Sequence, residues 1–480
     1  MKKTKFDYRS FLKSVAAIAI PVALQNLLTT TGSMVDTMMI APLGELTVGA
    51  VGLCAQFSSL MFSCYWGFVG GGMLFFAQYW GAKDEDGIDR AYETTLLFMM
   101  SVAAIFFCLG FFCPGLIMRF YTDKPDIQNV GIPYLRIAAF AYPLQIFSMA
   151  MCALLRSTDR VRVPLFGGIA SVLTNIVLNA VLINGLFGLP AMGVRGAALA
   201  TVIASAVNVL VILLLARRIR YPYLFRFLRH PRLKSIWMKT YLFKCFPIIC
   251  NELLLGIGFT VCNIVLGRQS EEAIAALAVF RTLEGFIISF FTGFSNAASV
   301  LIGNGIGAGE TRLAYERAKR LILICGSCIA VACAVLFLVH SPILSAMRLS
   351  GEAHKIGTTF VGIYCVAAVI RMCNWTQTDI FRAGGDAAFG TILEISFMYA
   401  VVMPAVLLSG IFLHLPVWVV FLSCYLDEPI RFTLMLIHTF SGKWIKPVTA
   451  AGVEGAKAFF KERGEVSKKT KAKAEKHPEA

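Results

Sequence analysis

The sequence predicts an all-α polytopic membrane protein whose twelve transmembrane helices form two pseudo-symmetric six-helix bundles. Three observations support this fold class. Hydrophobic residues make up 58% of the 480 residues and charged residues only 15%, whereas soluble proteins carry roughly a quarter charged residues. Apolar segments long enough to cross a bilayer recur along the chain. The two halves of the chain are also related by an internal repeat.

Twelve segments reach the length of about 20 apolar residues that a helix needs to cross the hydrocarbon core. An even number of spans places both termini on one side of the membrane. The predicted spans are residues 14–40, 48–80, 91–117, 129–156, 162–184, 193–216, 243–267, 274–306, 316–340, 354–382, 387–410 and 415–440.

The distribution of positive charge predicts which side the termini occupy. The chain carries 44 lysines and arginines and a net charge of +16. Most of these residues fall on the face shared by the termini, in residues 217–239, 312–320 and the tail from Lys443. Because cytoplasmic loops are enriched in lysine and arginine, we expect a multi-pass protein of the cell (inner) membrane with both termini in the cytoplasm.

A basic, aromatic loop divides the chain into two sets of six predicted spans. Such a loop could bind nucleic acid, but in a membrane protein its rings and cations suit the anionic lipid surface, so we expect membrane lipid and no nucleic acid as its partner. The Lys/Glu-rich tail is expected to be largely disordered. The predicted organisation is an N-terminus (1–13), an N-lobe (14–216), a linker (217–242), a C-lobe (243–440) and a basic cytoplasmic tail (441–480).

The two halves superpose at a shift of 226 residues. Matches at one constant shift across several helices are hard to obtain by chance. Two lobes with the same orientation form a parallel repeat, and transporter halves of this kind enclose a central site and rock about it. The matches include Pro21 on Pro247, Gln25 on Asn251, Gly32 on Gly258, Gly67 on Gly293 and Arg156 on Arg382.

One carboxylate distinguishes the first half. Asp36 lies within the first predicted span, and the shift places Cys262 opposite it. An ionisable group at membrane depth is costly and is by default a candidate functional residue. Pro21 lies earlier in the same span and allows the helix to bend.

The second half carries several charges within or near its predicted spans. Three pairs are spaced i, i+3 and share a helix face, so their members are expected to neutralise one another. Arg371 lies deeper, and Glu252 and Glu394 are candidates to neutralise it. The candidates for a substrate cleft or for a C-lobe charge network are Gln25, Glu252, Arg281, Glu284, Arg371 and Glu394. The three pairs are Arg281 with Glu284, Asp379 with Arg382, and Glu428 with Arg431.

Over residues 12–447 the chain resembles the multidrug and toxic compound extrusion (MATE) family. The motifs are Val35-Asp36-Thr37, Ala77-Gln78-Tyr79-Trp80-Gly81, Leu155-Arg156-Ser157, Asn175-Ile-Val-Leu-Asn179, Gly196-Ala-Ala-Leu-Ala-Thr201, Phe381-Arg382-Ala383-Gly384-Gly385-Asp386 and Ser441-Gly442-Lys443-Trp444. The last motif looks like one bacterial branch of the family. The resemblance implies a secondary antiporter, not an enzyme, that exports drug-like organic cations as H⁺ or Na⁺ enters. We also expect a monomer without a cofactor.

The resemblance further implies a cation site inside the N-lobe, formed by Asp36, Asn175, Asn179 and Thr201, with a helix hinge at Pro21. Position 179 often carries an aspartate in the family, so this chain has one carboxylate where some relatives have two. We therefore expect H⁺ rather than Na⁺ as the coupling ion, and Na⁺ at Asp36 is the only metal ion that we consider. Arg371 stands where some relatives have an acidic residue.

Two other functions remain open from the sequence. A flippase for a lipid-linked precursor would use a related six-plus-six fold and would need a strongly basic cleft. A membrane enzyme would need a nucleophile–base pair or a histidine-rich metal cluster at membrane depth, and the six histidines are dispersed. Further candidates for the substrate cleft, chosen by position and by the affinity of thioethers and rings for flat cations, are Met34, Met38, Phe57, Tyr65, Phe280 and Trp375.

Overall fold

Long α-helices make up most of the chain. The computed structural model describes residues 6–188, 190–226, 235–347, 349 and 351–476, so residues 1–5 and residues 227–234 of the predicted linker lie outside its description. The helices are α1 (Tyr8–Ile40), α2 (Glu45–Ala82), α3 (Glu85–Phe112), α4 (Pro114–Tyr121), α5 (Pro125–Ala138), α6 (Ala141–Ser157), α7 (Arg162–Asn184), α8 (Val194–Arg218), α9 (Ser235–Gly267), α10 (Glu271–Gly307), α11 (Thr311–Ala346), α12 (Gly351–Gly384), α13 (Ala387–Phe397), α14 (Met403–Leu407), α15 (Val417–Ser423), α16 (Glu428–Ser441) and α17 (Ala450–Lys476).

The described chain contains ten helical segments that are long and apolar enough to cross a membrane, and α5 with α6, bent by 46°, can form an eleventh. One of the ten runs from Ala387 to Phe412 through two π-helical stretches. This architecture confirms the predicted all-α polytopic class. The exact count of twelve is not reproduced.

The predicted last span, residues 415–440, accounts for the difference in number. It consists of two short helices, α15 and α16, separated by a turn. Asp427 and Glu428 stand at the start of α16, and their carboxylates bind Arg431 of the next turn at 3.3 and 2.9 Å. The chain therefore breaks its apolar run with ionic groups that pair locally.

Local sequence signals fix the beginnings of two long helices. The Asp84 carboxylate accepts a hydrogen bond from the backbone N–H of Gly87 at 2.8 Å, ahead of α3. The Ser270 hydroxyl accepts one from Ala273 at 3.1 Å, ahead of α10. These N-caps satisfy amide groups that have no partner within the helix.

The first helix of each half packs partly against the other half. Val15 and Ala19 of α1 belong to the apolar core formed mainly by α10 to α16. Tyr241 and Cys245 of α9 belong to the core formed mainly by α2 to α8. The repeat superposes Val15 on Tyr241 and Ala19 on Cys245, so the exchange is pseudo-symmetric.

Two glycine contacts join the lobes at the face where both termini lie, which we name the closed face. A Cβ atom on Gly81 would overlap the backbone of Asn304, and one on Gly307 would overlap the backbone of Gln78. The repeat superposes Gly81 on Gly307 and Gln78 on Asn304. Helices approach this closely only where a side chain is absent, so each half supplies one glycine and one partner backbone.

The segment after α16 binds across the closed face. The backbone N–H of Val448 donates to Oε1 of Gln78 in α2 at 2.8 Å, and Nε2 of Gln78 donates to the carbonyl of Ala383 in α12 at 2.8 Å. One side chain of the N-lobe thus contacts the tail and the C-lobe together.

Residues 450–476 of the tail form helix α17, so the expectation of a largely disordered tail is wrong for the part of it that the structure describes. Composition predicted disorder because α17 is rich in lysine and glutamate. Its start is nevertheless tightly packed: a Cβ atom on Gly452 would contact the carbonyl of Ile306, and one on Gly455 would overlap Gly309. Small residues at these two positions let the helix lie against the turn that follows α10.

Candidate functional site

The predicted coupling residues Asp36, Asn175, Asn179 and Thr201 lie together inside the N-lobe. Helix α1 supplies Asp36, α7 supplies both asparagines and α8 supplies Thr201. The asparagines are one helical turn apart, so their side chains share a face.

Hydrogen bonds join three of these side chains directly. Nδ2 of Asn179 donates to Oδ1 of Asp36 at 2.7 Å. The Asn175 amide is assigned with its nitrogen 3.2 Å from Oδ2 of Asp36, because the reverse orientation would face two acceptor oxygens toward each other. Its oxygen then faces the Thr201 hydroxyl, 3.4 Å away. Two neutral amides therefore stabilise the Asp36 carboxylate, and no cationic side chain forms an ion pair with it among the described residues.

The Asp36 side chain opens onto a cavity of about 170 Å³ inside the N-lobe. Thr37, Tyr134, Asn179 and Thr201 supply the other polar side chains of the wall. Asp36 is the acidic residue of this wall. A cavity with several polar partners is large enough to hold water, so a proton or a small cation can reach the carboxylate.

The proposed hinge lies about four helical turns before Asp36 on the same helix. Helix α1 runs without interruption from Tyr8 to Ile40 with Pro21 inside it. Proline lacks the N–H that would continue the hydrogen-bond ladder, which leaves a weak point in the helix. A bend at Pro21 remains a prediction.

The C-lobe contains a buried network of ion pairs around Arg371, whose side chain is 9% exposed. Nη1 of Arg371 lies 3.3 Å from Glu284, and Nε lies 3.7 Å from Glu428. Arg281 also contacts Glu284. Nδ2 of Asn374 donates to Glu428 at 2.7 Å.

Aromatic rings complete the surroundings of Arg371. The guanidinium carbon lies 4.8 Å from the ring centre of Trp375, 5.3 Å from Phe259 and 5.4 Å from Tyr425. Ring faces attract a desolvated cation. Arg371 is thus held by both carboxylates and rings.

Arg431 forms the second centre of the network. Its guanidinium lies 3.5 Å from Glu394, 3.3 Å from Asp427 and 2.9 Å from Glu428. Nδ2 of Asn251 also donates to Glu394 at 3.1 Å. Glu428 connects the two centres, because it contacts both Arg371 and Arg431.

The structure corrects one pairing and confirms three. Glu252 and Glu394 do not neutralise Arg371; Glu252 pairs with Arg382, and Glu394 pairs with Arg431. Separation along the sequence could not show which of the acids, on four different helices, lies next to Arg371. The three i, i+3 pairs, Arg281 with Glu284, Asp379 with Arg382 and Glu428 with Arg431, are all ion pairs.

The remaining cleft candidates fall into two groups. Gln25 of α1 accepts a hydrogen bond from Arg156 of the same lobe at 2.7 Å, and Met38 is 66% exposed. Phe57, Tyr65 and Phe280 are buried in the cores of their own lobes.

Three residues of these sites were missed by sequence reasoning. Asp427 binds Arg431, and its position four residues before that arginine was a usable signal. Asn374 binds Glu428 from α12. Tyr134 of α5 lines the cavity at Asp36, but nothing in the sequence separates it from the other tyrosines.

Comparisons with known proteins place this geometry in a family. The MatE family profile matches residues 21–181 and 247–407. The two matched ranges are separated by the same 226 residues as the internal repeat. Each range therefore corresponds to one copy of the family unit.

Two curated relatives and one solved structure are similar over most of their length. The "Probable multidrug resistance protein YoeA" of Bacillus subtilis (strain 168) is 24% identical over 442 residues, covering 89% of this chain and 92% of the relative. The "Probable multidrug resistance protein NorM" of Burkholderia pseudomallei (strain K96243) is 26% identical over 372 residues, covering 76% and 78%. A crystal structure of MATE in complex with MaL6 superposes with a TM-score of 0.81 at 18% identity, covering 90% and 97%.

The family match extends over more than half of the chain and over both lobes, and the similar structure shares the two-lobe fold. This multi-pass membrane protein belongs to the multidrug and toxic compound extrusion (MATE) family of transporters.

Proposed function

We propose that this chain is a secondary antiporter that exports drug-like organic cations from the cell in exchange for H⁺. The observation that carries the proposal is the Asp36 carboxylate, which is held by amides and opens onto a cavity inside the N-lobe. The names of the relatives YoeA and NorM support multidrug export as the function.

The coupling follows from how Asp36 is bound. Loss of hydration disfavours a charged carboxylate, and its protein partners are neutral amides, so gain of a proton leaves no arginine or lysine unpaired. The charged form accepts hydrogen bonds from Asn179 and Asn175. The protonated form releases one of them and allows α1 to bend at Pro21. Transport requires only that the two shapes of the cleft bind H⁺ and substrate with different affinities.

H⁺ is favoured over Na⁺ because the site offers a single carboxylate. Na⁺ would use the oxygens of Asp36, Asn179 and Thr201, which are suitable hard ligands. A second negative charge, as an aspartate at position 179 would provide, strengthens cation binding. The wild-type site therefore suits a proton better than a metal ion.

We place the protein in the inner membrane as a monomer with both termini in the cytoplasm, so the closed face is cytoplasmic. The positive-inside distribution supports this orientation. We assign transport and no catalytic reaction to the chain.

The test uses proteoliposomes that contain the purified full-length protein and a cationic fluorescent dye. A pH gradient is expected to drive dye movement with the wild type, and Asp36→Asn is expected to abolish it. Exposed Asp126→Asn is the matched control. Proton-driven movement that persists in Asp36→Asn contradicts the proposal.

A second arm separates the ions. Asn179→Asp adds the missing carboxylate and is expected to let an inward Na⁺ gradient drive transport. If the wild type already responds to Na⁺ and ignores the pH gradient, proton coupling is wrong.

A further inference from the structure

The segment between α16 and α17 runs from the C-lobe to the N-lobe and back again. We name residues 444–449 the strap. The Trp444 side chain is fully buried, and its Nε1 donates to the carbonyl of Thr439 in α16 at 3.0 Å. The backbone N–H of Lys446 donates to the carbonyl of Gly384 in α12 at 2.8 Å. These two bonds attach the beginning of the strap to the C-lobe.

The end of the strap is attached to the C-lobe as well. The Thr449 hydroxyl donates to the carbonyl of Gly307, the last residue of α10, at 2.9 Å. It also accepts a hydrogen bond from the backbone N–H of Gly452 at 3.1 Å, which caps the start of α17. Farther along α17, Arg463 donates to the carbonyl of Ser441 in α16 at 3.0 Å. Both ends of the strap therefore belong to the C-lobe.

Between these two attachments, Val448 contacts the N-lobe. Its backbone N–H donates to Oε1 of Gln78 in α2 at 2.8 Å. Its half-buried side chain packs against the apolar core formed mainly by α2 to α8. Trp444 and Ile445, by contrast, belong to the core of the C-lobe. The strap thus holds the N-lobe through the backbone and the side chain of one valine.

The equivalent segment of the first half stays on its own lobe. The repeat superposes the strap on residues 218–223. In that segment the Tyr221 hydroxyl lies 2.8 Å from the hydroxyl of Thr158, and the Tyr223 hydroxyl donates to Glu85 at 3.1 Å. Thr158 and Glu85 are both residues of the N-lobe. The crossing by the strap is therefore a property of the second half and not a requirement of the repeated fold.

Opening of the closed face has to break the contact between the strap and the N-lobe. When that face opens, α2 separates from α10 and α12. Because both ends of the strap are attached to the C-lobe, Val448 moves with the C-lobe and leaves Gln78. The strap therefore contributes contacts that exist in the closed shape and are absent from the open shape, and such contacts shift the balance between two shapes.

We propose that the strap is an autoinhibitory contact, which stabilises the closed shape of this face and lowers the population of the open shape. The strap acts on the balance between the two shapes, whichever ion and substrate use them. A neutral hydrogen bond together with partial burial of a valine side chain corresponds to a shift of roughly fivefold to tenfold in that balance.

The test measures opening of the closed face by single-molecule energy transfer between two dyes. The full-length protein is placed in lipid nanodiscs, with dyes on noncanonical amino acids at exposed Arg160 of the N-lobe and exposed Glu310 of the C-lobe. The wild type is expected to populate mainly the high-transfer, closed shape. Val448→Asn is expected to raise the ratio of open to closed molecules roughly fivefold to tenfold, because a polar side chain packs poorly against the apolar core.

Two further variants show whether the effect comes from the contact itself. Val453→Asn makes the same change at a position of α17 that is 39% exposed, and it is expected to leave the ratio unchanged. Gln78→Leu removes the acceptor for Val448 and also the bond to Ala383, so it is expected to raise the ratio. Since Val448 and Gln78 form one contact, the double variant should raise the ratio by less than the product of the two single effects.

Either of two results overturns the proposal. One is a ratio in Val448→Asn equal to that in Val453→Asn. The other is a double variant in which the effects of Val448→Asn and Gln78→Leu multiply in full. The measurement uses neither a substrate nor an ion gradient, so its outcome is independent of whether the protein is a proton-driven antiporter.

Discussion

The two lobes have equivalent helices and equivalent glycines where they touch, but they differ in the charges that they bury. The C-lobe holds Arg281, Glu284, Arg371 and Glu394 in a continuous network of ion pairs. The repeat places uncharged residues at these four positions in the N-lobe, namely Ala55, Ser58, Gln145 and Gly168. The N-lobe instead contains Asp36, opposite Cys262.

From this difference in charge we infer which lobe responds to a proton. Protonation of an acid in the C-lobe would leave a buried arginine with one carboxylate fewer, which is costly. Asp36 has amide partners, so its protonation creates no unpaired cation. We infer that the C-lobe network stabilises one arrangement, whereas the N-lobe site can exist in two.

The largest effect is expected from breaking the C-lobe network at its centre. Arg371→Met removes the shared partner of Glu284 and Glu428 and leaves two buried carboxylates less well neutralised. Loss of one partner of a buried pair costs about 3–5 kcal/mol. The free energy of unfolding should fall by that amount, measured by denaturant or thermal unfolding in detergent.

The N-lobe supplies the matched control for this variant. Gln145 occupies the position equivalent to Arg371 and is half-buried, so Gln145→Met should change the free energy of unfolding by less than about 1.5 kcal/mol. Equal losses of unfolding free energy in both variants would contradict a stabilising role of the ionic network in the C-lobe.

Sequence reasoning predicted the repeated features better than the unique ones. Apolar length and the constant shift predicted the helical class and the two halves. The family resemblance then brought Asp36, Asn175, Asn179 and Thr201 together correctly. The i, i+3 pairs were also predictable, because helix geometry alone sets which side chains face each other.

Long-range pairing and the tail were not predictable in the same way. Arg371 could meet any acid of the lobe, and the order of helices in space, rather than their order in sequence, selected Glu284 and Glu428. The tail was misjudged because a polar composition resembles disorder, whereas α17 is held by close backbone contacts at Gly452 and Gly455. Such backbone contacts cannot be recognised from the hydropathy of the sequence.

An intermediate effect on stability is expected at the two glycine contacts, which are equivalent in the two lobes. Gly81→Ala and Gly307→Ala each place a methyl group against the backbone of the other lobe. Overpacking of this kind costs about 1–3 kcal/mol, and pseudo-symmetry predicts similar losses for both variants in thermal unfolding. Gly285→Ala, where a Cβ atom meets nothing within 4 Å, is the control and should not destabilise the protein. Strongly unequal losses would mean that only one of the two contacts holds the closed face together.

The smallest effect on stability concerns Asp386 at the closed face. The repeat places Arg160 at the equivalent position of the N-lobe, so only the C-lobe has a carboxylate there. Asp386 lies 2.9 Å from Lys446 of the tail and 3.1 Å from Nε2 of His438. Burial opposes its ionisation, but hydrogen bonds from His438 and Lys446 outweigh burial and lower the pKa of Asp386.

A lowered pKa in the folded state fixes the sign of the pH dependence. The stabilisation by Asp386 is present above the ordinary carboxyl pKa of about 3.9 and is lost as pH falls through the lowered pKa. Asp386→Asn should therefore reduce the free energy of unfolding by about 1 kcal/mol at pH 7, and this gap should close only in strong acid. Thermal unfolding of both proteins across pH, with exposed Asp123→Asn as control, measures the gap. A gap that widens toward low pH would show that Asp386 does not anchor the tail as a carboxylate.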